Sequence, residues 1–560
     1  RWDSFTWAAM LALVALGMLV ANPLLRLIAT SFISDTDQSF TWMNYLQAYG
    51  RARYVEAAFN SLKLGFFAAL LCLCFGVPLA WALSRTDVPF KGFFWVSVIG
   101  TFVIPPYLGA VGWILLAGPK AGWLNRLFTD WLGWESGPLN IYSMTGLIFV
   151  TACYSFPYVF IFVKSALDLI SSEMEDAANI LCAGPLRTTM LITIPLALPS
   201  IIAAFIVVFL EAIALFGTPA LIALPARFHV VTTQLWQFFE FPPKLGVAAA
   251  YAMPLLVITV LMFIAQQTLL KRKGFVALTG KGGERRPIQL GIWKWPVFAY
   301  CMIVSCLTFV LPIIFITQAA LSKAWGRGFS WDNFTLQNLY FTVFENPLTR
   351  VATLNTFSYS ALAAVIAILI SLFIAYVIHR ELVSKPIASA LSFLAMAPFV
   401  IPGIVLAIGF YAAYTSEPLV LAGTMWILVF AYATRFLPIA FANAQAAIRS
   451  INPELEQAVR ILGGTRMLAI RKVVAPLLKK SLLGAFILVF IPATRELSAA
   501  IFLYSTNTQV LSVLLFDKSD EGNFETLASI GLVLVVITVI LIAIGFRLLG
   551  RDFMLRRSAS

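Results

Sequence analysis

One stretch of the sequence occurs twice: Glu175-Asp176-Ala177-Ala178-Asn179-Ile180-Leu181-Cys182-Ala183-Gly184, and 281 positions later Glu456-Gln457-Ala458-Val459-Arg460-Ile461-Leu462-Gly463-Gly464-Thr465. Each copy begins with an acidic residue, which suits the positive end of a helix dipole, and contains alanine, which favours helix. A small residue, Cys182 or Gly463, separates this helix from a second amphipathic stretch, which we expect to end at Pro195 or Pro476. The sequence therefore predicts two short helices that project from the chain at two equivalent places.

The duplication extends over the apolar segments around these stretches. Three further pairs of short motifs occur at corresponding places in the two halves of the chain: Asn60-Ser61-Leu62 and Asn355-Thr356-Phe357, Val103-Ile104-Pro105 and Val400-Ile401-Pro402, Phe156-Pro157 and Leu437-Pro438. Each half holds six apolar runs, an even number, so both halves enter a membrane in the same direction. We therefore predict parallel repeats, related by an axis along the membrane normal.

Composition places the chain in a membrane. Of its 560 residues, 61% are hydrophobic and 12% charged, and the mean hydropathy is +0.90; soluble domains carry about 25% charged residues. About 20 apolar residues cross a bilayer as a helix, and twelve such runs are present, of which we interpret the first as a span and not as a cleaved signal: 5–33, 59–83, 92–117, 144–166, 197–224, 246–270, 295–321, 354–378, 387–414, 418–447, 481–504 and 526–549. The prediction is an all-α polytopic membrane protein with about 12 transmembrane helices.

Lys and Arg are concentrated in alternate loops, and cytoplasmic loops are the basic ones. Segments 271–294 and 449–480 are basic, whereas 505–525 is acidic. We therefore expect a multi-pass protein of the bacterial cytoplasmic (inner) membrane with both termini in the cytoplasm. The predicted parts are a first half (1–270), a cytoplasmic linker (271–294) and a second half (295–560). The net charge of +13 is explained by this topology and by contact with anionic membrane lipid, so no nucleic-acid partner is expected.

The duplicated stretch resembles the signature Glu-Ala-Ala, three residues, Gly, nine residues, Ile, one residue, Leu-Pro. This signature marks the permease subunits of binding-protein-dependent ABC importers. The resemblance covers both loops (172–196 and 450–477) and the spans around them, so the chain is similar to two such permeases fused into one. It implies the type I ABC importer fold, also called MetI-like, with two parallel six-helix repeats. It further implies that each loop carries a coupling helix seated in a separate ATPase subunit.

The resemblance also implies partners and interface residues. One fused permease chain would assemble with two ATP-binding cassette subunits and one soluble substrate-binding protein. The binding protein would contact the opposite loops 34–58, 118–143, 225–245, 322–353 and 505–525. The residues that match the family's ATPase-coupling interface are Glu175, Asp176, Ala177, Ala178, Cys182, Arg187, Glu456, Gln457, Ala458, Gly463 and Arg466.

We expect no cofactor on this chain. Its nearest approach to a phosphate-binding loop, Thr279-Gly280-Lys281-Gly282, has Phe275 where the first Gly belongs and Gly282 where Ser or Thr would hold magnesium. ATP and Mg²⁺ would therefore bind to the partner subunits, and the chain itself is not expected to be an enzyme. Only two histidines are present, neither near a second ligand in sequence, so no metal site is expected.

The substrate is predicted only from the overall similarity of two short segments to known permeases, and not from a diagnostic motif. Thr434-Arg435-Phe436-Leu437-Pro438 and the segment 491–498 look most similar to the ferric-iron and phosphonate permease group, so ferric iron is the expected substrate. Phosphonates or phosphate esters, thiamine and polyamines remain alternatives. A secondary transporter of the major facilitator type is an alternative class, since twelve spans in two parallel halves also fit that architecture. Two features argue against it: the loop 84–91 is not the Gly- and Arg-rich loop of that class, and that class has no use for the duplicated loop helices.

Charged side chains within spans usually face a partner or a water-filled path. Five residues are candidates for the translocation path: Glu211, Phe216, Arg435, Arg495 and Glu496. We hypothesise that Glu211 pairs with Arg495, or Glu496 with Arg435, across the pseudo-twofold axis; an ion pair that merely holds the fold together is the alternative. Phe216 opens the sequence Phe216-Gly217-Thr218-Pro219, which predicts a helix break that forms either part of a gate or a plain helix end.

Overall fold

The structure, a computed structural model, describes residues 4–170, 178, 180, 184–240, 242–272 and 287–549. The helices are numbered in chain order: α1 (Phe5–Ser31), α2 (Met43–Tyr49), α3 (Ala52–Arg85), α4 (Lys91–Val103), α5 (Pro106–Ala117), α6 (Trp123–Leu132), α7 (Met144–Leu169), α8 (Thr189–Ala214), α9 (Gly217–Ile222), α10 (Val231–Phe239), α11 (Leu245–Arg272), α12 (Gly291–Ala320), α13 (Pro347–His379), α14 (Lys385–Phe399), α15 (Gly403–Tyr414), α16 (Met425–Arg449), α17 (Glu454–Ile461), α18 (Arg466–Thr494), α19 (Ala500–Leu503), α20 (Leu511–Asp520) and α21 (Phe524–Leu549).

Within the described residues, ten of these helices are long and apolar enough to cross a membrane: α1, α3, α7, α8, α11, α12, α13, α16, α18 and α21. The predicted spans 92–117 and 387–414 are instead bent pairs of helices. Helices α4 and α5 meet at 106°, and α14 and α15 meet at 114°. The repeated Val-Ile-Pro motif lies at both bends, where Pro105 and Pro402 have no N–H to continue the helical hydrogen bonds.

Each bent pair returns the chain across the membrane. Arg85, at the end of α3, donates hydrogen bonds to the carbonyl oxygens of Leu167 and Ile170, at the end of α7. Arg380, just after α13, likewise reaches the carbonyl oxygen of Ile451, just after α16. Since α3 and α7 thus end on the same side, as do α13 and α16, the bent pair between them recrosses. With each bent pair taken as one span, the described residues contain twelve candidate spans, in agreement with the predicted number.

The two halves run in the same direction. Near the start of α3, Asn60 bonds to the carbonyl of His229 before α10; near the start of α13, Asn355 bonds to the carbonyl of Gln509 before α20. Helices α10 and α20 contact each other, so both long helices start at one end of the molecule, here called the gate end. The opposite end, which holds α17, is called the loop end. The predicted parallel repeat is confirmed.

One expectation about the loop segments is wrong. The second amphipathic stretch does not end at Pro476; α18 starts at Arg466 and continues through the proline to Thr494. A π-helical turn, Ile470–Val474, directly precedes this position, and such a turn lets a helix continue past a residue without an N–H. The same expectation for Pro195 is also wrong, because α8 contains a similar π-helical turn at Thr189–Thr193 and continues through this proline. Helix α8 ends at Ala214, whereas the predicted span ran to residue 224.

The first span of each half packs against the bent pair of the other half. A side chain on Gly409 of α15 would place its Cβ 2.7 Å from the carbonyl oxygen of Pro23 in α1. In the other half, a Cβ on Gly112 of α5 would lie 2.8 Å from Cβ of Pro312 in α12. Both contacts need glycine because helix backbones meet there, and they bind the halves together by exchanged spans.

We predict that Gly409→Ala lowers the free energy of unfolding by about 1–3 kcal/mol, because the added methyl group meets backbone and cannot be relieved by a rotamer change. The matched control is Gly92→Ala in α4, where the Cβ meets nothing within 4 Å. Melting temperatures in detergent check this. Equal melting of the two variants would contradict the close packing of α1 on α15.

Candidate functional site

The loop segment of the second half is a helix-turn-helix. Helix α17 begins after Asn452, whose Oδ1 accepts the N–H of Glu454 at 3.0 Å. It ends before Gly463, whose φ of +82° is readily adopted only by glycine. Thr465 then caps the start of α18 through the N–H of Leu468. The first of the two short helices predicted for 450–477 is therefore present as α17, whereas the second is the beginning of the long helix α18.

Glu456 points into its own chain. Its Oε1 accepts a hydrogen bond from Nε of Arg380 at 2.7 Å and lies 2.6 Å from the Nη2 atom, and its Oε2 accepts one from the Tyr376 hydroxyl at 2.8 Å. Both partners lie at the loop end of α13. The carboxylate therefore fastens the loop segment to the long helix, and sequence reasoning missed both partners.

The tip of the segment is apolar and exposed. Gln457, Ala458 and Gly463 are exposed, and Ile461 and Leu462 are 85% and 88% exposed. Exposed apolar surface at this density, beside charged residues, is typical of a docking site. Arg466 lies 5.4 Å from the ring of Phe5 in α1 and thus packs within the chain.

The equivalent segment of the first half is described in part. Glu175, Asp176, Ala177 and Cys182 lie outside the described residues. Ala178 is buried, Arg187 is exposed, and Ile180 is 81% exposed. Ile180 is the counterpart of Ile461 under the 281-residue offset, so one exposed isoleucine is presented at the same place in each half.

Six aromatic side chains close the interface between the halves at the gate end, and we call them the aromatic gate. Rings from both halves meet with centroids 4.8–6.1 Å apart; the first half supplies Phe216, Trp236 and Phe239, and the second supplies Tyr411, Phe502 and Phe516. Phe216 lies where α8 has ended and α9 begins, so the predicted helix break is confirmed and contributes to this gate. Of the six, sequence reasoning found only Phe216.

The charged residues near the gate are arranged differently from the hypothesis. Nε of Arg435 lies 3.0 Å from Oε2 of Glu496, so this pair exists, but both residues belong to the second half. Arg495 instead crosses to the first half, where its guanidinium stacks over Phe102 at 4.7 Å and donates to that residue's carbonyl oxygen.

Glu211 has no ion-pair partner within 4.0 Å among the described residues, so its pairing with Arg495 is not observed. Its carboxyl group faces the hydroxyls of Tyr158 and Ser155, and its buried Oε2 has no hydrogen-bond partner in the described part of the chain. The reason is that Arg495 lies past the end of α18 and is held at the α4–α5 bend. Of the two hypothesised pairs, Arg435–Glu496 is present but lies within the second half, and Glu211–Arg495 is not observed.

Directly outside the gate, the two halves enclose an open cavity of about 580 Å³ that we call the vestibule. The first half lines it with Arg53, Arg227, His229 and Glu240, and the second half with Asp517 and Asp520; Trp236 and Phe516 of the gate also line it. Within the described residues, no ion pair joins its two walls, and no cluster of three or more His, Cys, Asp or Glu residues is arranged to hold a metal ion. The vestibule is a polar chamber that ends at an apolar barrier.

Asp517 is the titratable group of this chamber. Burial, together with the nearby carboxylates of Glu521 and Asp520, raises the pKa of Asp517 to about 6, against the opposing effects of Lys518 and a hydrogen bond from Gln509. On the other wall, burial and Arg53 lower the pKa of His229. At neutral pH the first-half wall therefore carries two arginines beside Glu240, and the second-half wall carries the carboxylates Asp517 and Asp520.

Comparison with known proteins assigns the family. The family model described as "binding-protein-dependent transport system inner membrane component" matches twice, at residues 73–275 and 367–551. The chain belongs to this family.

The family model thus occurs twice, as the duplication predicted, and the chain is a fused permease component of a binding-protein-dependent ABC importer, an integral protein of the inner membrane. It is 26% identical to a ferric transport system permease protein of Actinobacillus pleuropneumoniae, over 96% of this chain and 78% of the relative. It is also 26% identical to a putative ferric transport system permease of Haemophilus influenzae, over 91% and 80%.

Among solved structures, a bacterial alginate ABC transporter matches 49% of this permease and 95% of its own chain, at 16% identity and a TM-score of 0.39.

Two pairs of residues at equivalent positions of the two repeats have matching chemistry, and the sequence analysis missed both pairs. Trp236 and Phe516 are 280 positions apart, at the same place in α10 and α20. Arg85 and Arg380 are 295 positions apart, the same offset as Asn60 and Asn355. A search for identical chemistry at repeat-equivalent positions would have found them.

We predict that Glu456→Gln lowers the free energy of unfolding by about 3 kcal/mol, because Arg380 is then left in a buried position without a counter-charge. Adding Arg380→Gln to this variant is expected to cost less than the sum of the single changes. The matched control is Glu454→Gln on the same helix, where the exposed carboxylate bonds only to Asn452. Strictly additive effects in thermal melts would contradict the pair.

We also predict that Asp517→Asn raises the melting temperature at pH 7.5 and leaves it unchanged at pH 4. Because the folded state raises the pKa of this carboxyl, ionisation penalises folding as pH rises from about 4 to about 6, and the penalty is constant above that range. The amide variant lacks this penalty. Parallel melting curves for wild type and variant across the range would contradict the assignment.

Proposed function

We propose that this permease imports ferric iron, delivered by a soluble binding protein outside the cell, through alternating access driven by ATP hydrolysis on two separate ABC subunits. The observation that carries the proposal is the axial order of three features. Two loop segments with exposed apolar tips lie at one end, a polar vestibule lies at the other, and the aromatic gate lies between them. Full-length relatives named for ferric transport support the choice of cargo.

In this proposal the loop end faces the cytoplasm, together with both described ends of the chain, and the vestibule faces outward. The basic loop residues support this orientation. The exposed tips at Ile180 and Leu462 each seat one ABC subunit, which gives two ATPase subunits for one fused chain. ATP and Mg²⁺ bind there, and this chain supplies the pathway and no catalytic group.

The chain's own residues then act in sequence. The vestibule receives the cargo from the binding protein between the first-half wall, which carries Arg53 and Arg227, and the second-half wall, which carries Asp517 and Asp520. The aromatic gate blocks further passage, because a hydrated ion does not cross six packed rings. Separation of α9 and α10 from α19 and α20 opens the gate, after which the cargo passes Glu211 and the Arg435–Glu496 pair.

The test is ATPase activity of the chain reconstituted with the ABC subunits and binding protein encoded beside it. Ferric iron, a phosphonate, a phosphate ester, a polyamine and thiamine are supplied in turn. We expect ferric iron alone to stimulate hydrolysis. Stimulation by another ligand would replace the cargo and keep the importer, and transport driven by a proton gradient without ATP would reopen the secondary-transporter alternative.

We predict that Leu462→Glu and Ile180→Glu each reduce stimulated ATPase activity by at least tenfold, because a charge at the exposed tip disrupts an apolar docking contact. The matched control is Val420→Glu, which is also an exposed apolar residue (51%) but lies in the loop between α15 and α16 at the gate end. Copurification of the ABC subunits gives an independent reading. Normal assembly of both tip variants would contradict the assignment of these segments.

A further inference from the structure

Among the described helices, each half contains one that is longer than its other spans and reaches from the gate end to the loop end. Helix α3 has 34 residues and α13 has 33, which is about 50 Å of helix at 1.5 Å per residue. A bilayer core is about 30 Å thick. These two helices are therefore longer than the membrane core is thick.

At the gate end, α3 holds the start of α10 by two hydrogen bonds. The Asn60 side-chain amide donates to the carbonyl oxygen of His229 at 3.0 Å, and the Ser61 hydroxyl accepts the N–H of Val231 at 2.8 Å. Val231 is the first residue of α10, and its N–H has no partner inside its own helix. The long helix thus caps the gate helix from outside.

The same arrangement occurs in the second half. The Asn355 amide donates to the carbonyl oxygen of Gln509 at 2.9 Å, and the Thr356 hydroxyl accepts the N–H of Leu511, the first residue of α20, at 2.8 Å. We call each arrangement a clamp. The clamps account for the repeated Asn60-Ser61 and Asn355-Thr356 motifs, whose side chains sequence reasoning left without a role.

The clamped helices carry the gate. Trp236 and Phe239 lie on α10 and Phe516 lies on α20, all within the aromatic gate. The first turn of each helix is also tied to the preceding span: Thr232 donates to the carbonyl of Leu215 at 2.8 Å, and Ser512 donates to the carbonyl of Glu496 at 2.9 Å. Ser61 and Thr356 are 3% and 2% exposed, so water does not compete for the clamp bonds.

The other ends of the same two helices hold the loop segments. Arg380 and Tyr376 of α13 bind Glu456 of the coupling helix. Arg85 of α3 occupies the equivalent position and binds the carbonyl oxygens of Leu167 and Ile170, where the first loop segment leaves α7. One continuous helix therefore connects each loop segment to one side of the gate.

We propose that the clamps Asn60–Ser61 and Asn355–Thr356 transmit movement of the coupling segments to the gate, so that α3 and α13 act as the rods that open it. This inference rests on the proposed importer function. It assigns a positioning role, since the four side chains act through α10 and α20 and do not touch the path.

The decisive variant combines Ser61→Ala with Thr356→Val, which removes both acceptor hydroxyls and keeps nearly the same volume. Two variants test rescue, Ser61→Thr and Thr356→Ser, because each keeps a hydroxyl. The matched control is Ser358→Ala on α13, an exposed serine that bonds within its own helix to the carbonyl of Leu354 at 2.6 Å.

The complete transporter with its binding protein and ABC subunits gives the main readout, solute imported per ATP hydrolysed. A hydrogen bond contributes about 1 kcal/mol, equivalent to about fivefold. We expect the double variant to keep basal ATPase activity and to lose at least fivefold in the transport ratio, with the rescue and control variants close to wild type. An unchanged ratio, or an equal loss of basal activity, would reduce the clamps to structural contacts and overturn the proposal.

Amide hydrogen exchange of the chain alone gives a reading that does not depend on transport. We expect segments 229–239 and 509–520 to exchange faster in the double variant than in wild type or in Ser358→Ala. Unchanged exchange would overturn the clamps even if no cargo were found. A wild-type complex without ligand-stimulated ATPase, combined with faster exchange in the variant, would contradict the importer function and leave the clamp bonds in place.

Discussion

The architecture depends on one constraint: a backbone N–H or C=O in the low-dielectric interior of a membrane must have a hydrogen-bond partner. The chain interrupts its helices at the α4–α5 and α14–α15 bends and at the starts of α10 and α20. Two of these interruptions sit beside the gate, where Ser61 and Thr356 accept the exposed N–H groups. The side chains that satisfy the free backbone N–H groups at these helix starts therefore also fix the positions of α10 and α20.

Much of this arrangement is readable from the sequence because it repeats. Apolar run length predicted the spans, and the Glu456 stretch predicted the helix-turn-helix of the second half. The repeated proline motifs were found within two predicted spans, but the bends at these positions were not predicted. The partners of Glu456 were not readable, because Arg380 and Tyr376 lie some 80 residues away and meet it only through packing. The residues of the aromatic gate could not be predicted, because the chain contains 47 phenylalanines. No single phenylalanine is informative unless it is compared with the residue at the equivalent position of the other half.

The charged residues between the two halves differ from one half to the other, which is possible because the halves are fused into one chain with two different sequences. Glu211 occupies the place that Pro492 occupies in the other half, and the Arg435–Glu496 pair has no twin at the equivalent positions of the first half. Two identical subunits would present every charge twice about the axis. This chain presents carboxylate, hydroxyl and guanidinium groups unevenly about the axis between its halves, while the helices around them keep a nearly symmetric arrangement.

The exchanged first spans impose an order on synthesis. Every residue of α5 from Tyr107 to Ala117 is buried in the finished protein, in part against α12, which the ribosome produces only after the whole first half. At about 5–20 residues per second, α5 waits tens of seconds for that neighbour in the insertion machinery or the lipid. Helix α15, by contrast, emerges after α1 and finds its partner already in the membrane. The first half therefore completes its packing only when the second half arrives, and the second half assembles on a prepared template.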